Sequence, residues 1–138
     1  MKVFFQLAPQ MVGSVAMIFL ICHVGGPWNL GRCIGLALTS MAAVFLLTAR
    51  YQLGKSFSVS AQARQLVTRG IYSRIRNPIY VFSTLMILGL VIAYQHPVFL
   101  FIPAALVILQ VPRARREARV LEDAFGDEYR QYRKGTWF

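Results

Sequence analysis

Arg113 and Glu117 stand four residues apart near the end of the chain, a spacing that places both on one face of a helix. Leu121, Phe125 and Tyr129 continue the same spacing, and their side chains predict that this face packs against another part of the molecule. A carboxylate and a guanidinium on a packed face are costly unless they are paired or bound. The pattern fits either a binding site or a helical ion pair.

A second polar group is the string RNPIY at 76–80. Asn is a good N-cap and Pro is tolerated at the first helical position, so a helix is predicted to begin at Pro78 with Asn77 as its cap. The free N–H groups at the start of such a helix can donate hydrogen bonds to acceptor atoms of a ligand. Taken alone, Arg76 and Tyr80 are also explained by lipid head groups and the interfacial aromatic belt.

The elements that must position these groups are predicted to be membrane helices. Hydrophobic residues make up 57% of the 138 residues, against about 45–50% in soluble domains. No Asp, Glu, Lys or Arg occurs at 3–31, 33–49 or 77–112, and a span needs about 20 apolar residues. The polar turn at 94–97 divides the third stretch. We therefore predict an all-α polytopic membrane helix bundle with four spans, at 8–24, 33–49, 78–93 and 98–111.

The basic residues lie almost entirely on one side of this layout. Of the 15 Lys and Arg residues, Arg32 alone falls on the other side. The positive-inside rule then places both termini and the segments 50–77 and 112–138 in the cytoplasm, the latter as an amphipathic helix. The prediction is one membrane domain, 1–138, in a bacterial inner membrane. The net charge of +10 is assigned to lipid head groups and not to nucleic acid.

Two cysteines, Cys22 and Cys33, are predicted near the outer ends of the first two spans. We interpret them as small packing residues in preference to a disulfide. With two cysteines and no suitably placed histidine, no metal site is expected.

The order of the motifs adds information that no single motif carries. Leu53-Gly54 and Phe57 are followed by LVTRGIY at 66–72, RNPIY, a predicted hairpin, and then Arg113, Glu117, Leu121, Phe125-Gly126, Tyr129 and Tyr132. From 53 to 132 this resembles the C-terminal core of the isoprenylcysteine carboxyl methyltransferase family, integral membrane enzymes that use S-adenosylmethionine. The family pattern is similar to LVTxGxYxxxR[HN]PxY, a two-helix hairpin, and RxxxEExxLxxxFGxEYxxY.

The resemblance implies a role for each matching position. Glu117 matches a cofactor ligand, and Arg113 matches an arginine on the substrate side of the catalytic site. Three features depart from the pattern: Asn77 stands where many members have His, Ala118 replaces the second glutamate, and the chain ends soon after Tyr132. The remaining matches are to residues that line the S-adenosylmethionine pocket, namely Leu66, Val67, Tyr72, Asn77, Pro78 and Tyr80.

The predicted function is an S-adenosylmethionine-dependent methyltransferase at the cytoplasmic face, acting on a lipid-like or isoprenoid-linked acceptor, with a carboxylate favoured. Methyl transfer from a sulfonium requires an aligned nucleophile in a dry site and no metal. The expected partners are membrane lipid and an amphiphilic or lipidated substrate. Two alternatives stay open: a non-catalytic membrane scaffold that binds a partner, which Ala118 favours, and a nicotinamide-dependent membrane lipid reductase, although the chain has no G-x-G-x-x-G.

Overall fold

The computed structural model describes residues 27–54 and 66–137, together with the isolated positions 15, 19, 22 and 23. Within these residues the structure is all-helical, as the sequence predicts. The first predicted span, 8–24, lies outside the described residues except at those isolated positions. The helices are α1 (Leu30–Leu53), α2 (Pro78–Tyr94) and α3 (Phe101–Gly135), with 3-10 turns at Gly70–Ser73 and Pro97–Leu100.

Helices α1 and α2 run antiparallel and touch through small residues. A Cβ atom built on Gly89 would lie 2.5 Å from Thr39 Oγ1 and 2.7 Å from the Gly35 carbonyl oxygen, and one on Gly35 would strike the backbone of Ala93. The Thr39 hydroxyl donates to the Gly35 carbonyl at 2.8 Å. Close backbone contact of this kind is how helices associate in lipid, where apolar burial alone gives no advantage.

Two amides close the end of this helix pair at which α1 begins and α2 ends. Asn29 Nδ2 donates to Gln95 Oε1 at 2.8 Å, and Gln95 Nε2 donates to Asn29 Oδ1 at 3.0 Å. Asn29 also caps α1, since its Oδ1 accepts from the Arg32 N–H at 3.0 Å. Gln95 ends α2 in the left-handed conformation, with φ of 62°. The predicted turn at 94–97 is confirmed.

Two helical stretches of the described chain, Leu30–Leu53 and Pro97–Gly135, are long and apolar enough to cross a membrane. Helix α2 has 17 residues, at the short end of the range for a span. Large apolar side chains such as Val44, Ile108 and Leu109 are exposed, which suits contact with lipid. The four-span count stays a prediction.

A separate C-terminal amphipathic helix is not confirmed, because α3 continues from the predicted fourth span through to Gly135. Pro112 lies inside the helix without ending it. The helix changes direction at Gly126, whose φ of 49° and ψ of −117° are not helical. Beyond α3 the chain returns towards the start of α2, where the Trp137 N–H donates to the Arg74 carbonyl at 3.1 Å.

Candidate active site

The contact at the centre of the site joins the first turn of α2 to the middle of α3. The Tyr80 hydroxyl donates to Glu117 Oε1 at 2.5 Å, and both residues are half-buried. Glu117 thus accepts a hydrogen bond from a neutral phenol. The salt bridges of the described residues involve other carboxylates, since Glu122 pairs with Arg130 and Arg133, and Asp127 pairs with Arg130.

Tyr80 is positioned by the way α2 begins. Pro78 occupies the first turn, as predicted, and its fixed φ suits that position. The predicted side-chain cap is wrong, because the Asn77 side chain makes no capping hydrogen bond. Its carbonyl instead accepts from the N–H groups of Tyr80 at 3.1 Å and Val81 at 3.2 Å. The Asn77 side chain is thus not used by the helix.

Three tyrosines form a group near this contact. The Tyr132 hydroxyl donates to the Tyr72 carbonyl at 2.6 Å, and the rings of Tyr129 and Tyr132 have centroids 6.2 Å apart. Tyr129 is 2% exposed and Tyr72 is 6% exposed. Burial raises the pKa of Tyr72 and raises that of Tyr132 to about 12, so both are neutral phenols at physiological pH.

Two buried polar atoms, one in the tyrosine group and one on the neighbouring Arg76, have unused hydrogen-bonding capacity. Tyr72 Oη and Arg76 Nε are buried and have no hydrogen-bond partner among the residues that the structure describes. Tyr72 lies within electrostatic range of Glu117 and Arg50. Native proteins usually satisfy such buried groups with protein, water or ligand atoms. The surroundings of Tyr72 Oη and Arg76 Nε are therefore suited to bind a polar ligand.

The turn that carries Tyr72 is fixed to the end of α1. Gln52 Oε1 accepts from the Ile71 N–H at 2.9 Å. Gly70 has φ of 63°, and a Cβ atom there would collide with the Gln52 side chain. A glycine is thus required both by the backbone conformation and by the close approach.

A polar cluster lies one helical turn further along α2. Gln110 of α3 is 8% exposed, and its Oε1 accepts from the Thr84 hydroxyl at 3.0 Å. Its Nε2 donates to Ser83 Oγ at 3.2 Å. Ser83 also donates to the Tyr80 carbonyl at 3.0 Å, and the Thr84 hydroxyl, which has one proton, shares it between Gln110 Oε1 and that carbonyl, also at 3.0 Å. The cluster therefore connects both helices to the residue that contacts Glu117.

The structure brings some of the predicted site residues together. Tyr80 contacts Glu117, Tyr72 interacts electrostatically with Glu117, and Pro78 lies in the first turn of α2 with Tyr80. Leu66 and Val67 are half-buried in irregular chain at the start of the second described segment. Asn77 is half-buried beside Pro78.

Arg113 is exposed, although it lies within electrostatic range of Tyr80. Instead, the side of α3 that faces the rest of the molecule contains Gln110, Ala114 and Glu117. The prediction that the helix face from Arg113 to Tyr129 is packed is therefore wrong for Arg113. That face is also interrupted between Phe125 and Tyr129 by the bend at Gly126.

Sequence reasoning missed Arg50, Gln52 and Gln110. Gln110 could have been noticed, because it precedes Glu117 by seven residues, or about two helical turns, within an otherwise apolar stretch. The positions of Arg50 and Gln52 depend on how α1 meets a distant turn. No local pattern signals that contact.

The fold and the site together describe a helical hairpin of membrane type with a carboxylate, phenols and arginines gathered at one end. Residues 30–128 match the sequence profile of the phospholipid methyltransferase family, and the chain belongs to that family. This family group includes the isoprenylcysteine carboxyl methyltransferases, so the resemblance found in the sequence is confirmed. The comparisons with curated proteins and with solved structures found no match. The apolar helices and the family identify a membrane methyltransferase.

Proposed function

We propose that this chain transfers the methyl group of S-adenosylmethionine to an anionic, lipid-like acceptor at the cytoplasmic face of the membrane. The observation that carries the proposal is the hydrogen bond from Tyr80 to Glu117. A neutral phenol does not compensate the charge of a carboxylate, so the Glu117 side chain is left available to a cationic ligand. S-adenosylmethionine offers two such groups, a sulfonium and an ammonium.

The surrounding residues fit the rest of this cofactor. Arg76 Nε is a buried donor without a protein partner in the described chain, which suits a carboxylate. The Tyr72 hydroxyl, in the same condition, can donate to or accept from a ligand hydroxyl or amine. Leu66, Val67, Asn77 and Pro78 would complete the pocket by the family resemblance. When bound, the cofactor supplies a methyl group attached to a positively charged sulfur.

The protein's part in the reaction is to bind, orient and exclude water. Tyr80 fixes the Glu117 carboxylate, so that a cation beside it has one defined position. Tyr72 and Tyr129 are buried, and exclusion of water strengthens the electrostatic interactions within a site. No acid or base is needed if the acceptor arrives as an anion.

Arg113 is the residue proposed to hold the acceptor. It is exposed near the end of the apolar part of α3, so its guanidinium can meet the head of a molecule whose tail lies in the bilayer. A planar guanidinium binds a carboxylate or a phosphate through two parallel hydrogen bonds. A carboxylate on an isoprenoid-linked or lipid-like acceptor is favoured.

The test is calorimetric titration of the detergent-solubilised protein with S-adenosylhomocysteine, comparing wild type with Glu117→Gln. Glutamine still accepts from Tyr80 but lacks the charge, so affinity should fall by about ten- to a hundredfold. Glu122→Gln is the matched control, because Glu122 is occupied by Arg130 and Arg133 and should leave binding unchanged. Equal losses in both variants would contradict the assigned role of Glu117.

The same titration separates the alternative functions. NADPH binding without S-adenosylhomocysteine binding would replace the proposal with a nicotinamide-dependent lipid reductase. Binding of neither ligand by folded wild-type protein would favour a non-catalytic scaffold.

A further inference from the structure

Gln110 is a polar side chain within the apolar part of α3. Its neighbours on the helix, Ile108 and Leu109, are exposed and apolar, whereas Gln110 itself is 8% exposed. The nearest charged residue on α3 is Arg113, so the amide lies on the membrane side of the charged segment. Burying an amide in such surroundings costs free energy unless the amide is hydrogen-bonded.

Within the described part of the chain, both side-chain hydrogen bonds of Gln110 are to α2. Its amide oxygen and nitrogen bind Thr84 and Ser83, respectively. These two residues are adjacent in sequence, so both hydrogen bonds contact α2 within the same helical turn. A two-point contact fixes both the rotation and the axial position of one helix against the other. Within lipid no water competes for these hydrogen bonds. Other polar groups in the membrane can bind the same side chains when the helices are apart, which limits the net gain.

The contact of Gln110 with α2 lies next to the Tyr80–Glu117 hydrogen bond on both helices. On α2, Tyr80 precedes Ser83 and Thr84 by three and four residues, which is about one turn. On α3, Glu117 follows Gln110 by seven residues, or about two turns, on the same side of the helix. The Ser83 hydroxyl also donates to the Tyr80 carbonyl, and the Thr84 hydroxyl shares its proton between that carbonyl and Gln110. A shift of α3 against α2 would thus separate Tyr80 from Glu117.

We infer that Gln110 is a positioning residue that sets the register of α3 on α2 and so holds Glu117 within reach of the Tyr80 hydroxyl. This inference rests on the proposed function for its catalytic meaning, although the geometric claim stands without it. Gln110 touches neither reactant and acts through Ser83 and Thr84. Its loss should therefore affect the geometry of Glu117 before it affects the fold.

The first measurement needs no ligand. Isotope-edited infrared spectroscopy of protein labelled at glutamate carboxyl carbons gives the carboxylate band of Glu117 as the difference between wild type and Glu117→Gln. In Gln110→Leu that band should shift towards the position it takes in Tyr80→Phe, where the hydrogen bond is absent. Leu109→Ala, an exposed neighbour, should leave it unchanged. An unshifted band in folded Gln110→Leu would overturn the inference whatever the protein binds.

The second measurement is the affinity for S-adenosylhomocysteine across a double-mutant cycle. Gln110→Leu should weaken binding by about three- to tenfold, the range expected for one or two hydrogen bonds in a membrane interior. The loss should largely disappear in a Tyr80→Phe background, because the route through Tyr80 is already broken. Fully additive losses would overturn the inference. Absence of binding in wild type would refute the proposed function alone, since the infrared result still decides the positioning role.

Thr84→Val guards against a variant that fails to fold. Valine preserves the shape of threonine and removes only the hydroxyl that Gln110 Oε1 accepts from. A smaller shift of the Glu117 band in the same direction supports the inference. A loss of thermal stability with no change in the band or in affinity would make the cluster purely structural and contradict it.

Discussion

At the residue scale, the choice of partner distinguishes Glu117 from the other acidic side chains. All five acidic residues lie on α3. Glu122 and Asp127 contact arginines, Asp123 and Glu128 are exposed, and Glu117 receives a phenolic hydrogen bond. A carboxylate already paired with arginine has little attraction left for a ligand cation. The environment, and not the residue type, makes Glu117 the candidate ligand.

Arg113 gives the sharpest prediction at this scale. Arg113→Lys keeps the charge and loses the planar fork, so turnover should fall by about tenfold while cofactor affinity holds. The measurement is turnover with an identified acceptor, alongside calorimetric affinity for S-adenosylhomocysteine. Arg116→Lys is the control, because Arg116 is also exposed, lies three residues further along α3 and has no assigned role.

Wild-type turnover in Arg113→Lys would remove the acceptor role and leave Arg113 as a contact for lipid head groups. A joint loss of turnover and cofactor affinity would instead move Arg113 into the cofactor pocket, in keeping with its electrostatic interaction with Tyr80.

At the scale of the elements, glycines allow the helices and turns to reach the site. Gly35 and Gly89 let α1 and α2 touch, Gly70 lets the Tyr72 turn approach Gln52, and Gly126 redirects α3. The bend at Gly126 separates the part of α3 with Glu117 from the part with Tyr129 and Tyr132. A salt bridge from Glu122 to Arg130 crosses that bend at 3.0 Å.

Gly89→Ala tests the closeness of α1 and α2. The added methyl would meet Thr39 Oγ1 at 2.5 Å and the Gly35 carbonyl at 2.7 Å, so the helices must separate. Overpacking of this kind costs about 1–3 kcal/mol. We expect a lower midpoint of thermal unfolding in detergent.

Gly31→Ala is the matched control on α1, since among the described residues its Cβ would meet only Asn29 Oδ1, at 3.4 Å. Alanine there should be neutral or slightly stabilising, because it is the better helix former. Equal melting midpoints for wild type and both variants would show that α1 and α2 are further apart in the membrane than this structure has them.

At the scale of the whole molecule, the charge distribution and the site agree on one face. Among the described residues, Arg69, Arg74 and Arg76 before α2 and the basic residues along the second half of α3 flank the same end of the helices that carries Tyr72, Tyr80 and Glu117. The opposite end is closed by the neutral pair Asn29 and Gln95. The site is therefore predicted to open towards the cytoplasm, where S-adenosylmethionine is made.

The topology can be tested by thiol labelling of intact cells in a background with Cys22 and Cys33 replaced by serine. A cysteine at His96, exposed in the turn between α2 and α3, should react with an impermeant maleimide. One at Gln131, exposed beyond the bend of α3, should react only after the membrane is permeabilised. Labelling of position 131 from outside would reverse the proposed orientation.

The sequence by itself determined the helical class, the starts of α1 and α2 to within a few residues, the turn at 94–97 and the family. These follow from local rules: charge is excluded from apolar stretches, proline begins helices, and short motifs keep their order. It did not determine that α3 runs unbroken past Pro112, because one proline lowers helix stability without always ending a helix.

Only the tertiary structure decided which side of α3 faces α2, and hence that Gln110 lies inside while Arg113 lies outside. A sequence period gives a ridge, but the rotation of one helix against another is set by contacts between residues about 30 positions apart, such as Thr84 with Gln110 and Tyr80 with Glu117.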